Sequence, residues 1–129
     1  MATKSAGIET QDNGTTKVVT WPKTGTRFTA AADVGLPVKL SPWGDVSVQC
    51  VGTKGTSFAM TVQGSNDGND WCTLTDLNDD AISLTDVVGL NLQQIAQVPL
   101  YIRPLMTAQA GATDIACILV MRRNNPSRT

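Results

Sequence analysis

Hydrophobic and polar residues alternate along much of the chain after residue 17, a pattern typical of strands that bury one side. Val46, Val48 and Cys50, for example, share one side of their segment. Gly, Pro, Asn and Asp residues separate the alternating segments and favour turns between them. The pattern predicts eight or nine strands, at 17–21, 27–32, 36–41, 45–51, 56–64, 70–76, 81–85, 98–106 and 113–122.

Two of these segments supply the side chains that we expect in the core. Phe58, Met60 and Val62 share one side of the first, and Ile115 and Leu119 share one side of the second. Because successive side chains of a strand point to opposite faces, a shift of one residue would turn all of them to solvent. The alternation therefore predicts burial of these five residues.

The connections predict how neighbouring strands pair. Residues 52–55 (GTKG) are typical of a tight hairpin turn, and residues 65–69 (SNDGN) of a longer one, since Asn, Asp and Gly tolerate a left-handed backbone. We therefore expect a three-strand meander over 45–76.

The only helical candidate is the segment 86–97. Val88, Leu92 and Ile95 follow one another at spacings of four and three, and Asp86 could cap the first turn, although Gly89 weakens a helix. We expect a short helical or irregular connection there.

Composition agrees with an all-β chain. The sequence has 129 residues, the size of one domain, with 17 Thr and 12 Val but a single Glu, which favours strands over helices. Short strands with one long connection predict a single-domain antiparallel β-sandwich, with a jelly roll as its expected form.

The two ends differ from the predicted β-sandwich domain over 17–122. Residues 1–16 carry only Ile8 as a large apolar side chain, so we expect a flexible N-terminal arm. Residues 123–129 form a basic C-terminal tail.

Missing residue types restrict the chemistry. The chain has no His, the usual general base at neutral pH and the commonest metal ligand, so we expect no enzyme activity, metal or cofactor. The chain has three cysteines, an odd number, and no C-x-x-C motif; they are Cys50, Cys72 and Cys117. We expect all three to be unpaired, mostly shielded thiols made in a reducing cytoplasm. No apolar run reaches the roughly 20 residues of a membrane span, so we expect no membrane partner.

Charge is distributed unevenly along the chain. Residues 55–102 contain six Asp and no basic residue, whereas 1–54 sum to +2 and 103–129 to +3, for a net charge of −1. The acidic loops could simply keep one end of the sandwich soluble, or the asymmetry could orient the molecule on a charged surface. Nucleic acid is not an expected partner, because the clearest basic cluster lies within the last eight residues and lacks interleaved aromatic residues.

The three tryptophans, Trp21, Trp43 and Trp71, each lie near the end of a predicted strand. They could close the ends of the core or line a platform for a sugar. We expect Trp71 to be the best core candidate of the three.

Three segments resemble the small jelly-roll cement (decoration) proteins of tailed bacteriophage capsids. They are residues 46–49 (VSVQ), 61–71 (TVQGSNDGNDW) and 101–104 (YIRP), and the resemblance spans roughly 45–122. It implies a non-enzymatic protein whose partner is the major capsid protein: it would bind the outer face of the assembled shell and bridge neighbouring subunits. The implied location is the outer surface of the virion, after synthesis in the host cytoplasm.

The S-N-D-G-x-x-W stretch also resembles a hairpin of discoidin-type carbohydrate-binding modules. The alternative that it implies is a glycan-binding or tail-associated adhesive module.

Under the capsid hypothesis, attachment would use the polar arm and the basic tail, while the acidic loops over 65–80 stay exposed. Disordered polar segments can order on a partner, and arginines pair well with carboxylates. We also expect self-association, a dimer before a trimer, through an exposed sheet or edge strand. The predicted capsid-binding residues are Lys4, Ile8, Arg122, Arg123 and Arg128.

Overall fold

The computed structural model describes residues 3–11, 16–23, 25–40, 43–87 and 92–123. Within these ranges the chain forms strands and no helix, which confirms the all-β prediction. The strands are β1 (Thr3–Lys4), β2 (Gly7–Gln11), β3 (Thr16–Trp21), β4 (Val34–Gly35), β5 (Val38–Lys39), β6 (Trp43–Thr53), β7 (Ser57–Ser65), β8 (Cys72–Thr73), β9 (Leu92–Ile95), β10 (Tyr101–Ala110) and β11 (Asp114–Arg123).

The strands form two sheets, as predicted for a β-sandwich. The first, here called the β10 sheet, has the order β1-β4-β10-β7-β8, and β5 also pairs with β10. The second, the β11 sheet, has the order β2-β3-β11-β6-β9. Every pair is antiparallel except β1 with β4, which is parallel.

The pairing is that of a jelly roll. Leaving aside β1, β2 and β5, eight strands remain, and the first of them pairs with the last (β3 with β11), while the second pairs with the seventh (β4 with β10). The third pairs with the sixth (β6 with β9), and the fourth with the fifth (β7 with β8). One long antiparallel hairpin, rolled up, gives this order, so the fold is the predicted jelly roll.

The core lies between the two sheets. At its centre Leu119 of β11 lies opposite Val48 of β6 on one side and Val19 of β3 on the other, and all three are fully buried. The β10 sheet contributes Met60, Ile102 and Met106, each 0% exposed. The prediction of core positions is confirmed for all five residues, Phe58, Met60, Val62, Ile115 and Leu119.

The predicted meander over 45–76 is wrong at its first turn. β6 and β7 belong to different sheets, so residues 54–56 cross from one sheet to the other instead of closing a hairpin. The physical reason is that the apolar sides of the two strands pack against each other across the core, where Cys50 Sγ lies 3.8 Å from Met60 Sδ, so the strands lie face to face instead of side by side. The pairing of β7 with β8 keeps the second half of the meander.

The segment 86–97 contains a strand instead of a helix. β9 pairs antiparallel with β6, placing Ile95 beside Val46, and both side chains are buried. Leu92, which the helical pattern groups with Ile95, is 60% exposed. Gln93 Nε2 donates to the Ser83 carbonyl at 3.0 Å, and Gln93 Oε1 accepts from the Ser83 N–H at 3.4 Å. These bonds tie β9 to the segment whose Leu84 bridges to Met60 of β7. Val88 and Gly89 lie outside the described residues.

Two further predicted strands, 27–32 and 81–85, reduce to isolated bridges. Phe28 bridges to Ile115, and Leu84 bridges to Met60. Both segments still contribute buried side chains, since Phe28 and Leu84 are 0% exposed. In these two segments the alternation therefore predicts the buried side chains correctly but overestimates the length of the strands.

The N-terminal residues pair within the sandwich, in contrast to the predicted arm over 1–16. β1 lies beside β4 in the β10 sheet, and β2 pairs over its five residues with β3 in the β11 sheet. Backbone pairing with β3 and β4 holds this segment, and such pairing does not depend on the apolar content from which an arm was predicted. Residues 1, 2 and 12–15 lie outside the described part of the chain, as do residues 124–129 of the predicted tail.

Candidate functional site on the outer face of the β10 sheet

The outer face of the β10 sheet carries a cluster of aromatic and charged side chains. Along β10, Ile102, Pro104 and Met106 are buried, so the alternate residues Tyr101 and Arg103 point away from the core. The strand register completes the cluster by placing Gln63 beside Arg103, with Thr73 on the far side of Gln63, and Lys39 and Ser65 beside Tyr101.

Arg103 is held in a defined position on this face. Its guanidinium carbon lies 4.0 Å from the centroid of the Trp71 ring, a cation–π contact. Its Nε donates a hydrogen bond to Oε1 of Gln63 at 3.0 Å. Partial burial lowers the pKa of Arg103, but a guanidinium stays protonated in proteins, so the cluster carries a fixed positive charge.

The loop over residues 65–70 borders the cluster and is ordered by its own side chains. The Ser65 hydroxyl donates to Asp67 Oδ1 at 2.8 Å and accepts from the Gly68 N–H at 2.8 Å. The same Asp67 oxygen accepts the N–H groups of Asn69 and Asp70, each at 2.8 Å. Gly68 has φ +81, a left-handed conformation that glycine adopts without strain.

These hydrogen bonds shift the pKa values of the two carboxyl groups of the loop in opposite directions. The N–H groups of Asp70 and Asn69, followed by the Ser65 hydroxyl, stabilise the charged form of Asp67 and hold its pKa well below its ordinary value. The pKa of Asp70 is raised, first by its hydrogen bond to Asp67 and then by the charge of Asp67. At neutral pH the loop is therefore an acidic edge beside the Arg103 cluster.

Carboxyl NMR signals followed from neutral to acidic pH should show Asp70 taking up a proton before Asp67. Ser65→Ala removes one of the hydrogen bonds to the Asp67 carboxylate, so this variant should raise the pKa of Asp67. Asp67 protonating first in the wild type would contradict this arrangement.

A groove of about 530 Å³ opens next to the loop. Its lining includes Gly64 of β7, where a Cβ would lie 2.5 Å from Cγ of Pro99. Pro99 therefore lies closer to β7 than a larger residue at position 64 would allow. Val98 on the rim is 58% exposed. The groove is lined by Gly64, Ser65, Asn66, Asp67, Asp70, Cys72, Leu74, Gln97, Val98 and Pro99.

The structure corrects the prediction for one of the three cysteines. Cys50 and Cys117 are buried and lie opposite each other on β6 and β11, with no disulfide between them. The hydrogen bond to Cys50, together with burial, raises the pKa of Cys117. Cys72, in contrast, is exposed, because β8 is a two-residue edge strand with only β7 beside it.

A thiol reagent added to the native protein should therefore label one cysteine rapidly, and the other two only on unfolding. Cys72→Ser should abolish the rapid phase and leave the slow one unchanged. Rapid labelling that persists in this variant would show that the buried pair is accessible.

The tryptophans also differ from expectation. Trp21 is the core member, 1% exposed, and its Nε1 donates to the Leu36 carbonyl at 2.8 Å. Trp71, the predicted core candidate, is half-buried under Arg103 on the outer face. The side chain of Trp43 lies outside the described part. A sugar platform needs an open aromatic ring, and Arg103 covers one face of Trp71.

The predicted capsid-binding residues do not form one cluster. Lys4 is buried in the β10 sheet, where its Nζ lies 3.7 Å from Oδ2 of Asp33. Ile8 pairs with Val19 in the β11 sheet, and in the same sheet Arg122 and Arg123 end β11, with the Arg122 side chain exposed. Arg128 lies outside the described residues. Lys4 therefore faces an internal partner, whereas Arg122 remains available to an external one.

Within the described ranges, no three His, Cys, Asp or Glu side chains are grouped so that they could hold a metal ion. The same ranges contain no helix long and apolar enough to span a membrane.

Comparison with known proteins finds a structural relative. The fold is similar to that in the crystal structure of the SPBc2 prophage-derived protein YomS, with a TM-score of 0.54 and 10% sequence identity. The similarity covers 82% of this chain and 93% of the other. No protein-family model and no curated protein sequence matches the chain. At this identity the comparison shows a shared fold.

Proposed function

We propose that the chain is a structural virion protein that binds the outer face of an assembled phage capsid and bridges neighbouring capsid subunits. The observation that carries the proposal is the fold itself. A jelly roll similar, over most of its length, to a prophage-derived protein occurs in a chain whose segments at 46–49, 61–71 and 101–104 resemble phage cement proteins.

The outer face of the β11 sheet supports the proposal as the capsid-facing surface. Val18 and Val120 lie side by side on its central strands β3 and β11, and both are half-buried. Arg122 and Asp45 are exposed at one end, and with Val120 they line a groove of about 350 Å³. An apolar centre with a charged rim is the usual make-up of a protein interface.

Bridging requires no single strong contact. A repeating shell offers each copy two or more equivalent sites, and engagement of one raises the effective concentration for the next. Modest contacts through the sheet face and the terminal arginines are therefore sufficient for stable decoration.

The carbohydrate-binding alternative receives less support from the geometry. It depends on tryptophan rings, of which Trp21 is buried and Trp71 is stacked against Arg103. The hairpin that resembles a carbohydrate-binding module serves here to fix the acidic loop.

The double substitution Arg122→Ala with Arg123→Ala should weaken binding to expanded capsids of the encoding phage by tenfold or more. Each arginine can form charge-assisted hydrogen bonds with shell carboxylates, and tenfold corresponds to about 1.4 kcal/mol. Co-sedimentation with capsids measures the effect, with far-ultraviolet circular dichroism to verify the fold.

The matched control is Asp79→Asn with Asp80→Asn, two exposed turn residues whose loss of charge should leave attachment unchanged. Loss of binding in this control, with normal binding of the arginine variant, would place the capsid contact at the acidic end. Deleting residues 1–12 is not a clean test, because it would remove β1 and β2 and so weaken the fold.

A further inference from the structure

The β10 sheet presents residue types that concentrate binding energy in protein interfaces. Trp, Tyr and Arg are enriched at such hot spots, and Trp71, Tyr101 and Arg103 lie together, half-buried, on its outer face. The Arg103 guanidinium stacks on the Trp71 ring.

The cluster is already rigid before any partner binds. The Arg103 guanidinium is fixed by the Trp71 ring at 4.0 Å and by Gln63 at 3.0 Å. The Tyr101 ring lies close to Gly68 of the ordered loop, where a Cβ would be 3.7 Å from Cε2 of the ring. Little side-chain entropy remains to be lost on association, which favours binding at this face.

Opposite charges flank the cluster. Lys39 is exposed beside Tyr101 on β5, and on the other side Ser65 leads into the loop with exposed Asp67 and Asp70. The ion pairs found in the described residues are Lys4 with Asp33 and Lys54 with Asp86, so Lys39 and the two loop carboxylates have no ionic partner of opposite charge there.

This order of charges is self-complementary. From β5 to the loop, the face runs from Lys39 at a positive edge, across the Tyr101 ring and the stacked Arg103 and Trp71 side chains, to the carboxylates of Asp67 and Asp70 at a negative edge. A two-fold axis that lies in the plane of the face and runs along the strands reverses this order in a second copy, so each positive edge meets a negative edge. A capsid surface of uniform charge would match only one of the two edges.

The two long strands of this face lie at its middle. β7 has nine residues and β10 has ten, whereas β1, β4, β5 and β8 have two residues each. A second copy would therefore pack mainly on β10 and β7, the strands that carry Tyr101, Arg103 and Gln63.

We propose that the outer face of the β10 sheet is a self-association surface. Two copies pack it face to face, with the Trp71 and Tyr101 rings at the centre and Lys39 of each copy against Asp67 and Asp70 of the other. This inference goes beyond the proposed function, since it requires no capsid and uses the sheet opposite to that of Arg122.

Sedimentation equilibrium of the purified chain over a concentration series tests the proposal. The wild type should be a reversible dimer. Lys39→Glu should weaken dimerisation at least tenfold by placing like charges together, and so should Asp70→Lys. The combination of both should restore it substantially, because the exchanged charges again lie opposite each other.

Lys23→Glu and Asp80→Lys are the matched controls, because they make the same charge changes at exposed positions outside this face and should leave the dimer unchanged. Trp71→Ala should dissociate the dimer at all accessible concentrations while urea unfolding verifies that the monomer remains folded.

A wild type that stays monomeric throughout would overturn the proposal. A dimer that tolerates both Lys39→Glu and Trp71→Ala would also overturn it. If the wild type is monomeric and Trp71→Ala abolishes capsid binding, the face contacts the shell instead of a second copy. The Arg122→Ala with Arg123→Ala variant separates the two proposals, because it should lose capsid binding and still dimerise.

Discussion

Asp33→Ala should lower the free energy of unfolding by about 3–5 kcal/mol, because it leaves the Lys4 ammonium buried without its counter-charge. The two side chains are only 10% and 4% exposed, and Lys4 Nζ lies 3.7 Å from Asp33 Oδ2. The same oxygen accepts the N–H groups of Thr29 and Ala30 at 3.1 and 3.2 Å. The substitution would therefore release the N-terminal strand and the turn before β4 together. The expected loss is a large part of the about 5–15 kcal/mol that holds a domain folded.

The two partners should respond unequally to substitution. Lys4→Met removes the buried cation and leaves Asp33 with its two backbone donors, so it should cost less than Asp33→Ala. Lys54→Met is the exposed control: Lys54 and Asp86 are also 3.7 Å apart, but both side chains are 40% exposed, and the loss should stay below about 1 kcal/mol. Urea unfolding with unchanged slope measures all three. Equal losses for Asp33→Ala and Lys54→Met would show that the Lys4 site is hydrated.

Alternation predicted the strands whose burial is one-sided and left open how they pair. It identified the buried side of β6 and of β7, because Val48 and Met60 each sit in a regular run. It could not tell that the two sides face each other across the core, since a hairpin and a crossover between sheets have the same pattern. Knowing which sheet a strand joins requires contacts that are distant in sequence.

β1 and β9 show a second limit of the pattern. Both strands are fixed by partners that no local pattern contains: Lys4 by Asp33, and Gln93 by the backbone of Ser83. From the surrounding sequence alone, a lysine and a glutamine are expected to be exposed to solvent. Their structural roles depend on one distant group each, so they emerge only from the folded chain.

The candidate site had a partial signal in the sequence. The loop over 65–69 was predicted as a turn, and its Ser, Asp and Gly do form one. The stacking of Arg103 on Trp71 was not predicted, because it depends on the register that brings Gln63 opposite Arg103, 40 residues away. A tryptophan after a turn was instead assigned to the core, which Trp21 occupies.

Leu119→Ala should lower the free energy of unfolding by about 2–5 kcal/mol through lost burial and the cavity that remains. Leu119 is 0% exposed at the centre of the β11 sheet, between Val48 of β6 and Val19 of β3. These two strands cannot move in to fill the cavity without disturbing their hydrogen bonds to β11. The neighbouring Val120→Ala is the control, because that side chain is half-buried on the outer face and its loss opens no cavity, so the change should stay below about 1 kcal/mol. A larger loss for Val120→Ala than for Leu119→Ala would mean that β11 is shifted by one residue and that its inner and outer faces are exchanged.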